Sequence, residues 1–225
     1  MEVVIIRDEM RALEDYLITI YRLEEVYGIA KTTDIARELD VKPATVTKML
    51  AKLAEKGYVE IAPYKGAKLT EKGREFAEKI VRKHRIAEHF FSKVLGFSLV
   101  KSHVYAHMLE HLPDEVFDRM YEVFGRPQRC PHGNPVPRTS TATEVVEAKP
   151  LASLPRGTLA KIMRIVCESR VDLLYEVERL KLEPDVQVCV EDVIESGVSL
   201  RTDAGRVFLG IEAARIVFAK PVGLC

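Results

Sequence analysis

Apolar residues recur with a helical period through the first half of this chain and shorten to strand-length runs towards its end. Leu13, Leu17, Ile20 and Tyr21 share one face, which Leu23 extends, predicting an amphipathic helix over 8–27 that Gly28 ends. A short helix from about Thr33 to Leu39 is followed by a three-residue turn, Asp40 to Lys42. The next helix, Pro43 to Lys56, buries Val46, Met49, Leu50 and Leu53. Pro43 suits a first helical position, whereas Lys42 stands where Ser, Thr or Asp caps best. After Gly57, the run Y-V-E-I-A-P-Y-K-G-A-K-L-T predicts a β-hairpin turning around Tyr64, Lys65 and Gly66. Thr70 then caps a long helix reaching from Glu71 to about Leu95, with a break at Gly96. A further helix over 98–111 precedes one that starts at Pro113-Asp114-Glu115 and runs through Val116, Met120 and Val123 to Phe124.

The stretch R-C-P-H-G-N-P-V-P-R-T-S-T-A-T breaks all periodicity. From about Ala148 the pattern is short strands: T-L-A-K-I-M-R-I-V, V-Q-V-C-V-E-D-V, S-L-R-T and R-I-V-F-A, with one helix from Val171 to Leu180. Gly and Pro turns between them predict a small β-barrel. The expected fold is therefore mainly α with small β: a winged helix-turn-helix over 1–73, a helical domain over 74–138, a linker over 139–148 and a barrel over 149–225. The helical domain carries more apolar face than one small domain covers, so a helix-mediated homodimer is expected.

Charge sharpens the first of these expectations. The formal net charge is 0, so no overall field draws the chain to nucleic acid or membrane. Residues 1–36 nevertheless carry 4 Lys/Arg against 8 Asp/Glu, while residues 37–85 carry 13 against 7. The second helix of the pair presents Ala44, Thr45, Thr47, Lys48, Ala51 and Lys52 opposite its apolar side, with Lys42 and Pro43 at its start and Thr33 opening the helix before it. Small and hydroxyl side chains permit approach to base edges, and lysines meet phosphates. Lys65 and Lys68 put positive charge on the hairpin tip. A solvated helical surface would show the same charge, but not the helical pair and basic hairpin together.

Only 6 histidines occur, and three of them lie between His103 and His111. His84 and Glu88 are four apart, as are His103 and His107, with Glu110 and His111 three and four beyond His107. Residues so spaced share a helix face, and two such faces turned together make a metal site. His89, beside Phe90 and Phe91, reads as packing, and Cys130 and His132 in the turn-rich stretch read as structural. His107 to His111 also spells H-x-x-E-H, the inverted zinc-peptidase signature, which gives an enzymatic alternative with Glu110 activating water. A metal-independent winged-helix repressor would leave these residues without a role. The 4 cysteines form no C-x-x-C pair and no apolar leader opens the chain, so reduced thiols in a cytoplasmic protein are expected. No apolar run approaches the ~20 residues of a membrane span. A single Asn and two Gln among many charged residues point to heat adaptation.

Taken in order, these segments resemble the diphtheria-toxin-repressor family of metal-dependent transcriptional regulators, over essentially the whole chain. E-D-Y-L-I-T-I-Y-R-L-E-E resembles the family's first helix, V-K-P-A-T-V-T-K-M-L its recognition helix and G-Y-V-E-I-A-P-Y-K-G-A-K-L-T its wing. H-R-I-A-E-H-F-F and H-x-x-x-H-x-x-E-H resemble the metal region, C-P-H-G-N-P-V-P the linker, and the end of the chain the Src-homology-3-like barrel of the iron sensors. The resemblance implies two metal sites. His84, Glu88 and His103 match the ancillary one, to which the barrel adds Glu168, and His107, Glu110 and His111 match the primary one with Asp15 as its fourth ligand. Position 107 holds His where iron sensors carry Cys and manganese sensors Glu, and position 15 holds Asp as in manganese sensors. Such a donor set suits Fe(II) or Mn(II) and would also hold Zn(II) or Co(II). The implied function is a repressor that binds a palindromic operator in double-stranded DNA as a homodimer when the ion is bound, and controls metal-homeostasis genes.

Overall fold

The computed structural model describes residues 2–63, 65–137, 147–166 and 170–225. They form two compact units, Met1–Lys83 and His84–Cys225. Tyr64 of the expected hairpin turn, most of the expected linker, Cys167 and Glu168 lie outside the described residues.

In the first unit α1 spans Glu2–Tyr27, and its buried stripe includes Leu13, Leu17, Ile20, Tyr21 and Leu23, as the period predicted. Two further helices follow, α2 (Thr32–Glu38) and α3 (Pro43–Glu55). The turn between them is tight because Asp40 takes a left-handed φ of 51°, a conformation Asp tolerates better than most residues. Ile35, Val46, Leu50 and Leu53 are buried against the α1 stripe. The expected defect at the start of α3 is real: Lys42 makes no side-chain cap. Strands β1 (Val59–Ala62) and β2 (Gly66–Leu69) form the hairpin in antiparallel register, Val59 opposite Leu69 and Ala62 opposite Gly66. Ala30 adds a bridge to β2 that periodicity did not show, exchanging both backbone hydrogen bonds with Ala67 at 2.8 and 3.1 Å. That approach demands glycine at 66, where φ is +133° and an added Cβ would sit 2.4 Å from the Ala30 carbonyl oxygen.

The fourth helix, α4 (Glu71–His89), carries the chain into the second unit. The helix expected to reach Leu95 changes pitch at Phe90 and finishes as a π-helical turn, Phe90–Val94, whose Phe90 ring stacks on Phe124 at 5.8 Å. Helices α5 (Leu99–Leu109) and α6 (Asp114–Val123) pack with α4 around Ile86, Ala87, Ala106 and Phe117.

The rest of this unit departs most from expectation. Strands β3 (Lys149–Pro150), β4 (Thr158–Ile165), β5 (Gln187–Ile194), β6 (Gly197–Thr202), β7 (Gly205–Gly210) and β8 (Val217–Leu224) make one antiparallel sheet in the order β3-β8-β4-β5-β6-β7. It is not a closed barrel: β3 and β7 are its edges, and a two-residue β3 offers too short a ladder to close on. Helices α7 (Val171–Arg179) and α8 (Ile211–Ile216) complete its core with Leu174, Val177, Ala213 and Ala214. Arg215 and Ile216, read as strand, belong to α8, because Ala213 and Ile216 are three apart and both buried. Strand β7 was not anticipated. Nor was the disulfide between Cys189 and Cys225, which corrects the expectation of reduced thiols. Leu159 of β4 pairs with Cys189 on one side and with Gly223 on the other, so the topology brings the two cysteines within a Cα separation of 6.0 Å.

Candidate metal centre and DNA-binding surface

The ligand candidates converge because three elements each present one polar face inward. From α4 come His84 and Glu88, from α5 His103 and His107, and Glu110 caps the end of α5. The loop after α6, C-P-H-G-N-P, brings in Cys130 and His132. His84, Glu88, His103, Glu110, Cys130 and His132 are each at most 4% exposed, and only His107 is partly open, at 30% of its side chain. His84 Nδ1 lies 2.7 Å from Glu110 Oε2, and its Nε2 is 2.9 Å from Glu88 Oε1 and 3.1 Å from His103 Nδ1. His103 Nδ1 is also 2.9 Å from Glu88 Oε1, while its Nε2 is 3.2 Å from His107 Nε2. His107 Nδ1 lies 3.3 Å from Glu110 Oε1.

Two three-donor groups result. The donor atoms of His84, His103 and His107 all lie within 4.8 Å of one another, and so do those of Glu88, Cys130 and His132. His132 Nδ1 is 3.1 Å from Glu88 Oε1 but off the line of a hydrogen bond, leaving both its ring nitrogens buried without a hydrogen-bond partner. A buried imidazole with neither nitrogen hydrogen-bonded is costly, and a cation that takes the lone pair of its unprotonated nitrogen would offset part of that cost. Burial would raise the Glu88 carboxyl, but the neighbouring His132 and His84 and the hydrogen bond from His103 hold it well below the ordinary carboxylate range. Glu110 is likewise held well below its usual value against the effect of burial by hydrogen bonds from His107 and His84. Burial pushes the His103 imidazole well below its ordinary value. The centre at neutral pH therefore presents ionised carboxylates beside a neutral His103, the protonation state in which such groups ligate cations.

Of the predicted ligands, the structure thus brings together His84, Glu88, His103, His107 and Glu110. His111 falls in the turn after α5 and belongs to neither three-donor group. Asp15 lies on the exposed side of α1, in the first unit. Cys130 and His132, read as structural from the sequence, lie with Glu88 in a group whose donor atoms are within 4.8 Å of one another. The available signal was a Cys and a His two residues apart, flanking a proline in a loop of fixed turns. Their partner Glu88 is remote in the chain, so no local pattern could join them. The geometry also removes the peptidase reading: α5 ends at Leu109, and Glu110 is engaged by two imidazoles rather than free to activate water.

On the first unit, Thr33, Lys42, Pro43, Ala44, Thr45, Thr47, Lys48, Lys52 and Lys65 are all exposed. Behind them Val46, Leu50 and Leu53 hold α3 to the core. The Thr47 hydroxyl donates to the Pro43 carbonyl at 3.1 Å, which fixes its rotamer at the start of the helix.

Residues 8–67 match the family domain described as the iron dependent repressor N-terminal DNA binding domain, and residues 70–138 match the iron dependent repressor metal binding and dimerisation domain. The diphtheria toxin repressor of Corynebacterium glutamicum is 31% identical over 211 residues, covering 90% of this chain and 89% of its own. The chain belongs to the iron-dependent (diphtheria toxin) repressor family. The iron-dependent repressor IdeR of Mycobacterium tuberculosis is 30% identical over 199 residues, with 83% of this chain and 86% of that one covered. Among solved structures, IdeR of T. acidophilum superposes with a TM-score of 0.80 at 30% identity, over 93% of this chain and 97% of that one. A manganese-dependent transcriptional repressor in complex with manganese gives 0.77 at 28% identity, over 93% and 100%. As a member of this repressor family, the chain is a metal-dependent, DNA-binding transcriptional repressor that dimerises, and it is not an enzyme.

Proposed function

We propose that this repressor senses Fe(II) or Mn(II) through the buried cluster on α4, α5 and the 130–134 loop, and controls metal-homeostasis genes in the cytoplasm. One observation carries the reading: His132 holds two unsatisfied nitrogens against an ionised Glu88, with four further His and Glu donors in hydrogen-bond contact around them. We assign His84, Glu88, His103, His107, Glu110, Cys130 and His132 as ligands from this geometry, and Asp15, His111 and Glu168 from the family resemblance. The imidazoles and carboxylates suit Fe(II) or Mn(II), and the Cys130 thiol adds one softer donor. Burial and the charge of Glu88 push that thiol well above its ordinary range, so it ligates only where a cation displaces its proton.

A bound cation supplies the charge that lets these carboxylates share one site. The residues do the rest: Glu88 orients His84 and His103 from a single oxygen that His132 Nδ1 also approaches at 3.1 Å, and Glu110 ties His84 to His107. Metal and operator then favour the same state, so each strengthens the other. Helix α3 is assigned to the major groove, with Lys65 at the hairpin tip on the backbone. The exposed Val94, Leu95, Met108, Leu112 and Val123 of the helical region are the candidate dimer face.

The test is a mobility shift on the gene's own upstream region, with chelator and then with Mn(II), Fe(II), Co(II) and Zn(II) at matched free concentrations. Retardation with metal alone is expected. Glu110→Gln and His111→Ala should remain folded dimers that no longer bind DNA on metal addition. Metal-independent binding by either variant would refute the assignment.

A further inference from the structure

Cys189 and Cys225 take no part in the metal centre, yet their bond is built unsymmetrically. Cys189 is 7% exposed on β5, whereas Cys225, following β8, is exposed. Directly across the β5–β6 ladder from Cys189 stands Arg201, whose Nη2 donates to Cys189 Sγ at 3.5 Å. The guanidinium is held in place by Glu191, which accepts from Arg201 Nε at 3.1 Å and whose other oxygen lies 2.9 Å from Arg206 Nε. A cavity of about 410 Å³ opens onto the bond, lined by both cysteines with Arg156, Arg201 and Arg206 against Glu191 and Asp192.

In thiol–disulfide exchange the incoming thiolate takes the accessible sulfur, and the sulfur whose thiolate is better stabilised leaves. Here those are different atoms. We propose that Cys189–Cys225 is a thiol-exchange site that low-molecular-weight monothiols open and close. The thiolate attacks Cys225 Sγ, forming a mixed disulfide there, and the S–S electron pair departs on Cys189 Sγ, where Arg201 receives the charge. A second monothiol displaces Cys225 as a thiolate. The net change is two monothiols oxidised to their disulfide and one protein disulfide reduced to two thiols, the two monothiol protons ending on the cysteines. Exposed residues 221–225 are then held by the β8–β4 ladder and the Cys225 N–H donated to the Gly157 carbonyl at 3.0 Å. A retained intracellular disulfide accords with the heat adaptation read from the amide-poor composition.

The experiment uses the full chain, purified in air, with 2-mercaptoethanol as the probe and peptide mapping after alkylation. Without reductant Cys189 and Cys225 should resist alkylation, and after it both should label. Arg201→Gln should slow reductive opening several-fold, whereas Arg206→Gln, which loses only the bridge to Glu191, should leave it near wild type. In Cys225→Ser, the pH midpoint for alkylation of Cys189 should rise when Arg201→Gln is added. Labelling of both cysteines without reductant would overturn the proposal. So would equal slowing by both arginine variants, or a Cys189 midpoint that Arg201→Gln leaves unchanged.

Discussion

Replacing Glu88 with Gln isolates what holds the metal centre together. One carboxylate oxygen, Oε1, lies 2.9 Å from His84 Nε2, 2.9 Å from His103 Nδ1 and 3.1 Å from His132 Nδ1, on a residue 3% exposed. Glutamine keeps the volume but removes the charge. A hydrogen bond to a charged group is worth about 1.5–3 kcal/mol against about 1 for a neutral one, so the two bonded imidazoles together should lose about 2 kcal/mol in chelator at pH 7. Because the Glu88 carboxyl is depressed in the fold, its contribution is full above the unfolded value near 4.3 and lost as pH falls below it. The difference from wild type should therefore shrink in acid. With metal the contrast grows. If losing the anionic ligand weakens binding about 100-fold, ion at 100 times the wild-type Kd stabilises wild type by about 2.7 kcal/mol and the variant by about 0.4. At roughly 2–4 °C per kcal/mol for a chain of this size, the metal-induced rise in Tm should fall from about 5–11 °C to about 1 °C. Calorimetry with chelator and with Mn(II), beside a near-ultraviolet dichroism check of the fold, reads both numbers. A variant that keeps the full metal-induced rise would show that Glu88 is not a ligand.

His103 gives a second pH signature: burial depresses its imidazole, so its share of stability is full above about 6.5 and lost as pH falls further. Unfolding free energies from urea titrations in chelator should drop between pH 7 and 5.5 by no more than about 1.4 kcal/mol per pH unit for this group, and His103→Gln should flatten the slope, an unchanged slope counting against it. On the DNA side, Lys48→Ala and Lys52→Ala should each reduce the slope of log K against log salt by about 0.9 without changing sequence preference, measured by fluorescence anisotropy. Slopes equal to wild type would take α3 off the phosphate backbone. Gly66→Ala forces a Cβ to within 2.4 Å of the Ala30 carbonyl at φ +133°, and should destabilise the first unit by about 2–4 kcal/mol in chemical denaturation. A neutral Gly66→Ala would mean that the Ala30–Ala67 bridge gives way freely.

Helices α1 to α6 and the hairpin could be read from the sequence because their information is local. Leu13, Leu17 and Tyr21 recur at the helical period, Pro43 and Gly57 punctuate α3, and the i,i+4 pairs His84/Glu88 and His103/His107 place ligands on single faces before any tertiary contact exists. By the same logic Thr47, Lys48 and Lys52 were assigned to solvent and proved exposed. The β region was legible only as strands of some kind, since β3 is too short to carry a pattern and whether a sheet closes depends on pairing between distant edges. The approach of His84 to Glu110 and of His103 to Glu88, that of Cys130 and His132 to Glu88, and the bond from Cys189 to Cys225 were decided by tertiary structure alone. Each joins residues far apart in the chain, and spacing along a helix or strand constrains only neighbours within a turn or across a pleat.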